Sequence, residues 1–370
     1  MGSVKDLIKD DLGSEATENS LGAGIFDFSD RYSVFDWGEM PDHIPNKGAA
    51  LCLMAAWNFE QLKKEGMQTH YLGIVKEDCR IKRISTTENL KEPTTKMLVS
   101  LSRVVEPVFV NGCYDYSYFI NGQGKINNFV VPLEVIYRNG APKGSSLLKT
   151  ISELERKGEI DNLTKLLDKY GLTEKPQPGQ LFSKTGYDFT TKFEPTDRKI
   201  EDEAAYLISG LTEEQFKQLE EVRQAAVDIV KKRGREVSLE DFDGKHEYRL
   251  FGGRISIADV FGTLDENRFI FSLNERKVQV SKEFLRQYHK IHQKDWYEST
   301  ERAKALAREK GIEDWTELCE TKPRNLEPRL ISLVGEMYAS ASDRYTGLNL
   351  FKNARPLESV MEDLLPYMDW

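Results

Sequence analysis

The chain lacks any run of roughly 18 to 20 uninterrupted apolar residues, so no segment reads as a bilayer-spanning helix. Its first twenty residues, MGSVKDLIKDDLGSEATENS, are polar and acidic and have no secretory character, which points to the cytoplasm. Cysteine is scarce. Cys52, Cys79, Cys113 and Cys319 are scattered without a C-x-x-C pair, which argues against a disulfide framework and a zinc knuckle. Positive charge is short too. A formal net charge of -9 argues against broad nucleic-acid binding, which needs a basic face to displace counterions. An anionic ligand would therefore require a local basic pocket. Internal repeats and low-complexity tracts are also missing.

What is present is 370 residues, 39% hydrophobic and 31% charged, the profile of a globular chain large enough for two lobes and an extension. Strand-prone residues fill 21–37. Residues 49–65 put Leu51, Ala55, Phe59 and Leu62 at the spacing of an amphipathic helix that Gly66 can cap. The stretch 76–128 is polar and irregular, with short strand candidates at 97–104 and 114–120. A strand at 129–139 leads into the Gly/Ser/Pro-rich loop 140–146, followed by a charged helical segment at 148–170 and a proline-marked loop near 175–180. Thr212 and Gln215 have the spacing of a capping box that opens a long helix reaching Gly234. KHEYRLF and RISIADV then read as a β-hairpin across Gly252 and Gly253, and the chain from 293 onward reads as helical and charged.

The hairpin carries the most informative pair, Glu247 and Asp259. Magnesium takes oxygen ligands and is usually held by one or two carboxylates plus substrate phosphates, which suits two acids converging from neighbouring strands. A two-residue turn pairs 247 with 258 and sends the two acids to opposite faces. A longer or bulged turn pairs 247 with 259, and the metal reading requires this second register. Asp243, Lys245, Asp265 and Arg268 crowd the same sheet end, as a phosphorylated ligand or a surface salt-bridge network would both demand. Arg138, Asn139, Gly144, Ser145 and Ser146 form a second constellation, an anion cradle in chemistry and an ordinary turn in appearance.

The ordered segments DRYSVFDWGEMPDHIPNKGAAL, GMQTHY, VPLEVIYRNGAPKGSSL, TTKFEPTD, DGKHEY, ADVFGTLDENR and SKEFLRQYH resemble SAICAR synthetases, most closely the archaeal branch, over residues 20–292. The resemblance implies an α+β fold of two lobes, related to ATP-grasp enzymes and kinases, with a C-terminal helical extension. It divides the chain into an N-terminal α+β lobe with a glycine-rich nucleotide loop (1–130), a C-terminal α+β lobe with ligand and metal residues (131–292), and the extension (293–370). It also implies a reaction, in which ATP activates the carboxylate of an imidazole ribonucleotide and the amine of L-aspartate displaces phosphate in purine biosynthesis. ATP and Mg2+ are the implied cofactors, the partners are small molecules with neither nucleic acid nor membrane, and a homo-oligomer is compatible with the chain.

By matching motif positions, Glu247 and Asp259 resemble the magnesium and nucleotide-phosphate carboxylates, and Lys192 the lysine at the ATP phosphates. Arg138, Ser145 or Ser146, Arg268 and Arg286 resemble the grip on the ribonucleotide phosphate, while Asp197, Asp243 and Lys245 resemble imidazole-side contacts. Asp30, Ser33, Asp36 and Lys47 match the segment near the reacting amino acid, with Lys192, Asp243, Lys245, Asp36 and Lys47 as the catalytic set. The family's GKxK or GKVRD strand is matched to Leu21-Gly22-Ala23-Gly24, which has no lysine. Gly22 and Gly24 are therefore expected to contact the ATP phosphates through backbone amides at positive φ. Other readings are a same-fold ligase with a different amine or carboxylate and a non-catalytic nucleotide-binding homologue. Retention of the three arginines disfavours the first, and retention of Glu247, Asp259 and Lys192 disfavours the second.

Overall fold

The computed structural model describes residues 4–8, 15–78, 81–194, 197–274, 276–312 and 314–368. In the N-terminal part, β1 (Lys5–Ile8), β2 (Gly22–Phe28), α1 (Lys47–Lys64), β3 (Tyr71–Asp78), β4 (Ile81–Ser85) and β5 (Lys96–Leu101) follow one another. The strands form an antiparallel sheet in the order β1-β2-β5-β3-β4. β6 (Val108–Val110) and β7 (Cys113–Asp115) pair by themselves, and α2 (Ser117–Gly122) follows. The expected strand at 114–120 therefore stops early, because Asp115 accepts the Ser117 amide at 2.8 Å and turns the chain into a helix.

The second sheet begins with β8 (Phe129–Ala141). After it come α3 (Ser146–Lys157), α4 (Ile160–Lys169), β9 (Gln180–Thr191), β10 (Lys199–Ile200), α5 (Asp202–Ile208) and α6 (Glu213–Glu236). β11 (Leu239–Phe251), β12 (Arg254–Ala258), β13 (Asn267–Leu273) and β14 (Arg276–Gln279) complete it, in the order β10-β9-β8-β11-β13-β14 with β12 also on β11. The helical segment foreseen at 148–170 is two helices, broken where Gly158 adopts φ 71 and caps α3. The capping box on α6 is complete, Thr212 accepting from the Gln215 amide and Gln215 from the Thr212 amide.

The hairpin takes the two-residue turn. Glu247 pairs with Ala258, so the register required for a shared face does not form. The strand ends there, however, and Asp259 sits at φ 58, a left-handed conformation that takes its side chain out of strand alternation. Asp259 thus approaches Glu247 by a backbone turn, the step that spacing alone misses.

The C-terminal helices are α7 (Lys282–His292), α8 (Lys294–Lys310), α9 (Pro328–Thr346) and α10 (Leu357–Leu364). α9 lies along α1, which explains why α1 is buried nearly all round, from Lys47 through Ala56, instead of being amphipathic. Tyr345 on α9 donates to Asn58 on α1 at 2.9 Å, and Asn58 donates to the carbonyl of Gly262 at 3.0 Å, tying both helices to the second sheet. Gly335 lets α9 touch the loop before α1, since a Cβ there would lie 2.7 Å from the Pro45 carbonyl oxygen. Gly335→Ala should therefore destabilise the protein by roughly 1 to 2 kcal/mol in denaturant titration, although alanine is the better helix former, because overpacking outweighs propensity.

Candidate active site

One face of the second sheet gathers the site. Strand alternation puts Asp243, Lys245 and Glu247 of β11 on the same side, opposite Arg138, Ile136 and Glu134 of β8, with Arg268 of β13 opposite Asp243. Two charge clusters result.

In the first, the Lys245 ammonium bridges Glu134 at 2.8 Å and Glu247 at 2.9 Å. Lys192 pairs with the other Glu247 oxygen at 2.6 Å, and Lys5 of β1 pairs with Asp259 at 2.5 Å. Burial would raise the Glu247 carboxyl, but Lys245 and Lys192 outweigh it and hold Glu247 well below the ordinary carboxylate range. Burial and the neighbouring Glu247, opposed by Lys245, push Glu134 up to about 7. Asp259 is raised by burial and by Glu247 and Glu266, with Lys5 opposing. His70, lowered to about 3 by burial and by Arg249, is neutral and bonds the Asp259 carbonyl at 2.6 Å. It fixes the backbone of the turn.

The second cluster lies at the start of α3. Arg138 donates to Asp188 at 3.2 Å and to the Ser146 hydroxyl at 3.2 Å. Asp243 joins the two arginines, at 3.5 Å from Arg138 and 2.9 Å from Arg268. Arg286 pairs with Glu283 at 3.3 Å, and Arg268, Arg286 and Lys290 together lie in the field that lowers the Glu283 carboxyl against its burial. Asp188 is oriented by Tyr170, which donates at 2.8 Å, and by Lys169 at 2.9 Å. Gly186 makes this possible, since a Cβ there would stand 2.2 Å from the Tyr170 ring. The two candidate serines separate: Ser145 is buried and caps α3 through the Leu147 amide, whereas Ser146 is exposed beside Arg138.

Asp197 is exposed and stands in the field of Lys245, Lys192, Glu247 and Asp36, so it faces the first cluster. Asp36 is on the surface and pairs with Lys304 of α8 at 2.8 Å, Ser33 is half-buried, and Asp30 accepts the Gly48 amide at 3.0 Å. Lys47 differs from expectation. It is fully buried, 2.7 Å from Asp265, which also accepts from Tyr338 of α9, so it has no surface to offer a ligand. Gly22 and Gly24 are also placed otherwise. Neither has positive φ, both pair with β5, and the space above Gly24 is filled by Leu7 and Leu101. A lysine does stand on the neighbouring strand, Lys5 of β1, paired with Asp259. The sequence signal was Gly2-Ser3-Val4-Lys5-Asp6, which resembles GKVRD with Ser3 at its lysine position and Lys5 at its arginine position. Glu134, Asp188, Glu266 and Glu283 were likewise missed, although Glu134, Glu266 and Glu283 lay inside quoted motifs and only Asp188 lay outside them.

The charge count tests the fit of a divalent cation. Glu134, Glu247, Asp259 and Glu266 face Lys5, Lys192 and Lys245, so carboxylates outnumber ammonium groups, and every donor is a hard oxygen. No group of three or more His, Cys, Asp or Glu poised to hold a metal occurs among the described residues.

A profile described as SAICAR synthetase matches residues 16–303. An Archaeoglobus fulgidus protein, provisionally named phosphoribosylaminoimidazole-succinocarboxamide synthase, is 38% identical over 365 residues, covering 98% of each chain. The Thermoplasma volcanium protein of that name is 31% identical over 333 residues, 87% of this chain and 92% of that one. Among solved structures, the Saccharomyces cerevisiae SAICAR synthase complexed with SAICAR superposes with a TM-score of 0.58 at 20% identity, over 94% of this chain and 93% of that one, and so shares the fold.

The roles of the two serines can be separated by stability. Ser145→Ala should cost about 1 kcal/mol in denaturant midpoint through loss of the α3 cap, while exposed Ser146→Ala should leave stability within about 0.5 kcal/mol.

Proposed function

The chain belongs to the SAICAR synthetase family, and on that premise we propose how its two charge clusters divide the reaction. The reaction is the ATP-dependent ligation of L-aspartate to 5-amino-1-(5-phosphoribosyl)imidazole-4-carboxylate, giving SAICAR, ADP and phosphate in purine biosynthesis. The observation that carries the division is the alternation along β11, which sets Asp243 between arginines and Glu247 between lysines on one face.

In this reading the ribonucleotide phosphate lies against Arg138, Ser146, Arg268 and Arg286 at the N-terminus of α3, where backbone amides and guanidinium groups favour an anion. The ATP phosphates lie over the first cluster, where Lys192 and Lys5 supply positive charge. Glu247 and Asp259 would hold Mg2+, which when bound neutralises charge on the phosphoryl oxygens. Lys245 stands between the clusters beside Asp243 and keeps the imidazole carboxylate near the transferring phosphoryl group. That carboxylate attacks the terminal phosphorus of ATP, ADP leaves, and the amine of aspartate then attacks the acyl carbon and expels phosphate. The attacking amine sheds a proton. Glu134 is the carboxyl suited to accept it, since its elevated pKa lies near neutrality. Asp197 and Asp36 border the side from which the amine approaches.

ADP release should require the ribonucleotide and proceed to completion only with L-aspartate. Arg268→Ala and Arg286→Ala should each raise the KM for the ribonucleotide by the equivalent of about 1.5 to 3 kcal/mol, with a much smaller change for ATP. A shift confined to the ATP KM would exchange the two pockets.

A further inference from the structure

The cations of the two clusters are already held by buried carboxylates. Lys5, Lys192, Lys245, Arg138, Arg268 and Arg286 pair with acids whose side chains are at most 20% exposed. Lys304 is different. It comes from α8 in the extension, one residue past the end of the family match, and its partner Asp36 is 84% exposed while Lys304 itself is only 20% exposed.

The lysine is the fixed member of the pair. Its ammonium lies 4.8 Å from the Trp315 ring centroid, Trp315 packs on Trp37 at 5.9 Å, and Trp37 packs on buried Trp296 at 5.6 Å. Asp36 rests on a backbone turned left-handed at both Phe35 (φ 57) and Asp36 (φ 58), which non-glycine residues seldom adopt. Asp36 also lies close enough to Asp197 to act on its carboxyl, and Asp197 is in turn within the field of Lys245, Lys192 and Glu247. Lys290 of α7, one turn on from Arg286, lies over the Phe35 ring at 5.8 Å, so the loop that carries Asp36 borders the second cluster and Lys304, paired to that loop, stands at the mouth of the site. A walled ammonium with a solvent-exposed, replaceable carboxylate is the arrangement that receives a carboxylate from outside.

We infer that Lys304 binds the side-chain carboxylate of L-aspartate, taking it in exchange for Asp36. This rests on the ligase reading above. L-aspartate brings two carboxylates to a chain of net charge -9, and its side-chain carboxylate is the one further from the reacting amine, so it reaches toward the cleft mouth. The extension then supplies part of the choice of amino acid, and Asp36 acts as an internal occupant of the carboxylate position.

The test uses the full-length chain and Lys304→Met, which keeps the side-chain stem over Trp315 but removes the charge. KM for L-aspartate should rise about 10-fold or more, the size of one charge-assisted contact, and the preference for L-aspartate over L-asparagine should shrink by a similar factor. KM for ATP and for the ribonucleotide should stay within about two-fold. Asp36→Asn should move the other way and lower KM for L-aspartate, because it removes the competing carboxylate. An unchanged KM for L-aspartate in Lys304→Met would overturn the assignment. So would equal increases in both variants, the result expected of a pair that only braces the loop. If the unaltered protein fails to release ADP with all three substrates, the ligase reading itself fails, an outcome distinct from a working enzyme that is indifferent to Lys304.

Discussion

The Lys245 ammonium, held between Glu134 and Glu247 on facing strands, is the contact on which both halves of the cleft depend. Those two glutamates pair directly across β8 and β11, where like charges would otherwise repel. Lys245 favours the ionised form of both, and Lys192, which pairs with Glu247 alone, separates them: Glu247 is held well below the ordinary carboxylate range while burial and Glu247 push Glu134 up, so the two acids differ in character. Two residues back along the same strand, Asp243 repeats the pattern with reversed sign, one carboxylate between two guanidinium groups. The sheet thus presents a cation among anions beside an anion among cations. Charge alternation along one strand separates the two clusters.

The C-terminal helices serve the same cleft from behind. Tyr338 of α9 donates to Asp265, Asp265 holds Lys47 at the start of α1, and Tyr32 bonds His289 of α7 at 3.1 Å. The loop between β2 and α1 bears three non-glycine residues at positive φ: Phe35, Asp36 and Asn46. Such conformations persist only where surrounding contacts over-determine them. Here those contacts include Trp296 and Tyr297 against Phe35, and Asn325 with the Leu326 amide on Asp42, both at 2.7 Å. A buried Lys47, paired with Asp265, belongs to this bracing. Its ion pair orders the helix that carries the loop.

Much of the fold was legible because its cues are local. The α6 capping box, the periodic apolar stripe behind it and the Gly252-Gly253 turn each depend on residues close in sequence. Expectation failed where geometry depends on distant partners. α1 looked amphipathic because nothing in its own residues announces that α9 will cover its outer face. Asp259 reaches the acid cluster through one left-handed residue, and φ is not visible in spacing. The family's basic strand was matched to the strongly strand-like Leu21–Gly24, which has no lysine, while the short, polar β1 that bears Lys5 looked like a leader. Five of the site residues named in advance, Arg138, Asp243, Lys245, Glu247 and Arg268, share one sheet face, since strand alternation can be read directly. The acids that tune them, Glu134 and Asp188, come from other strands and emerge only once the register is known.

A chain with 61 acidic and 52 basic side chains that must hold three anionic substrates faces a general electrostatic cost. The structure meets it by storing its cleft cations as ion pairs. In the proposed reaction an arriving phosphate or carboxylate would exchange with an internal carboxylate at a cation that is already desolvated and aimed. The arrangement has a consequence for order: each exchange releases an internal acid, and the acid freed at Glu247 or Asp259 is the kind of ligand a divalent cation entering with ATP requires. Pairing with lysine and, in the proposed reaction, holding a divalent cation would therefore be alternative uses of the same carboxylates, and the excess of acid over lysine in the first cluster suits the second use.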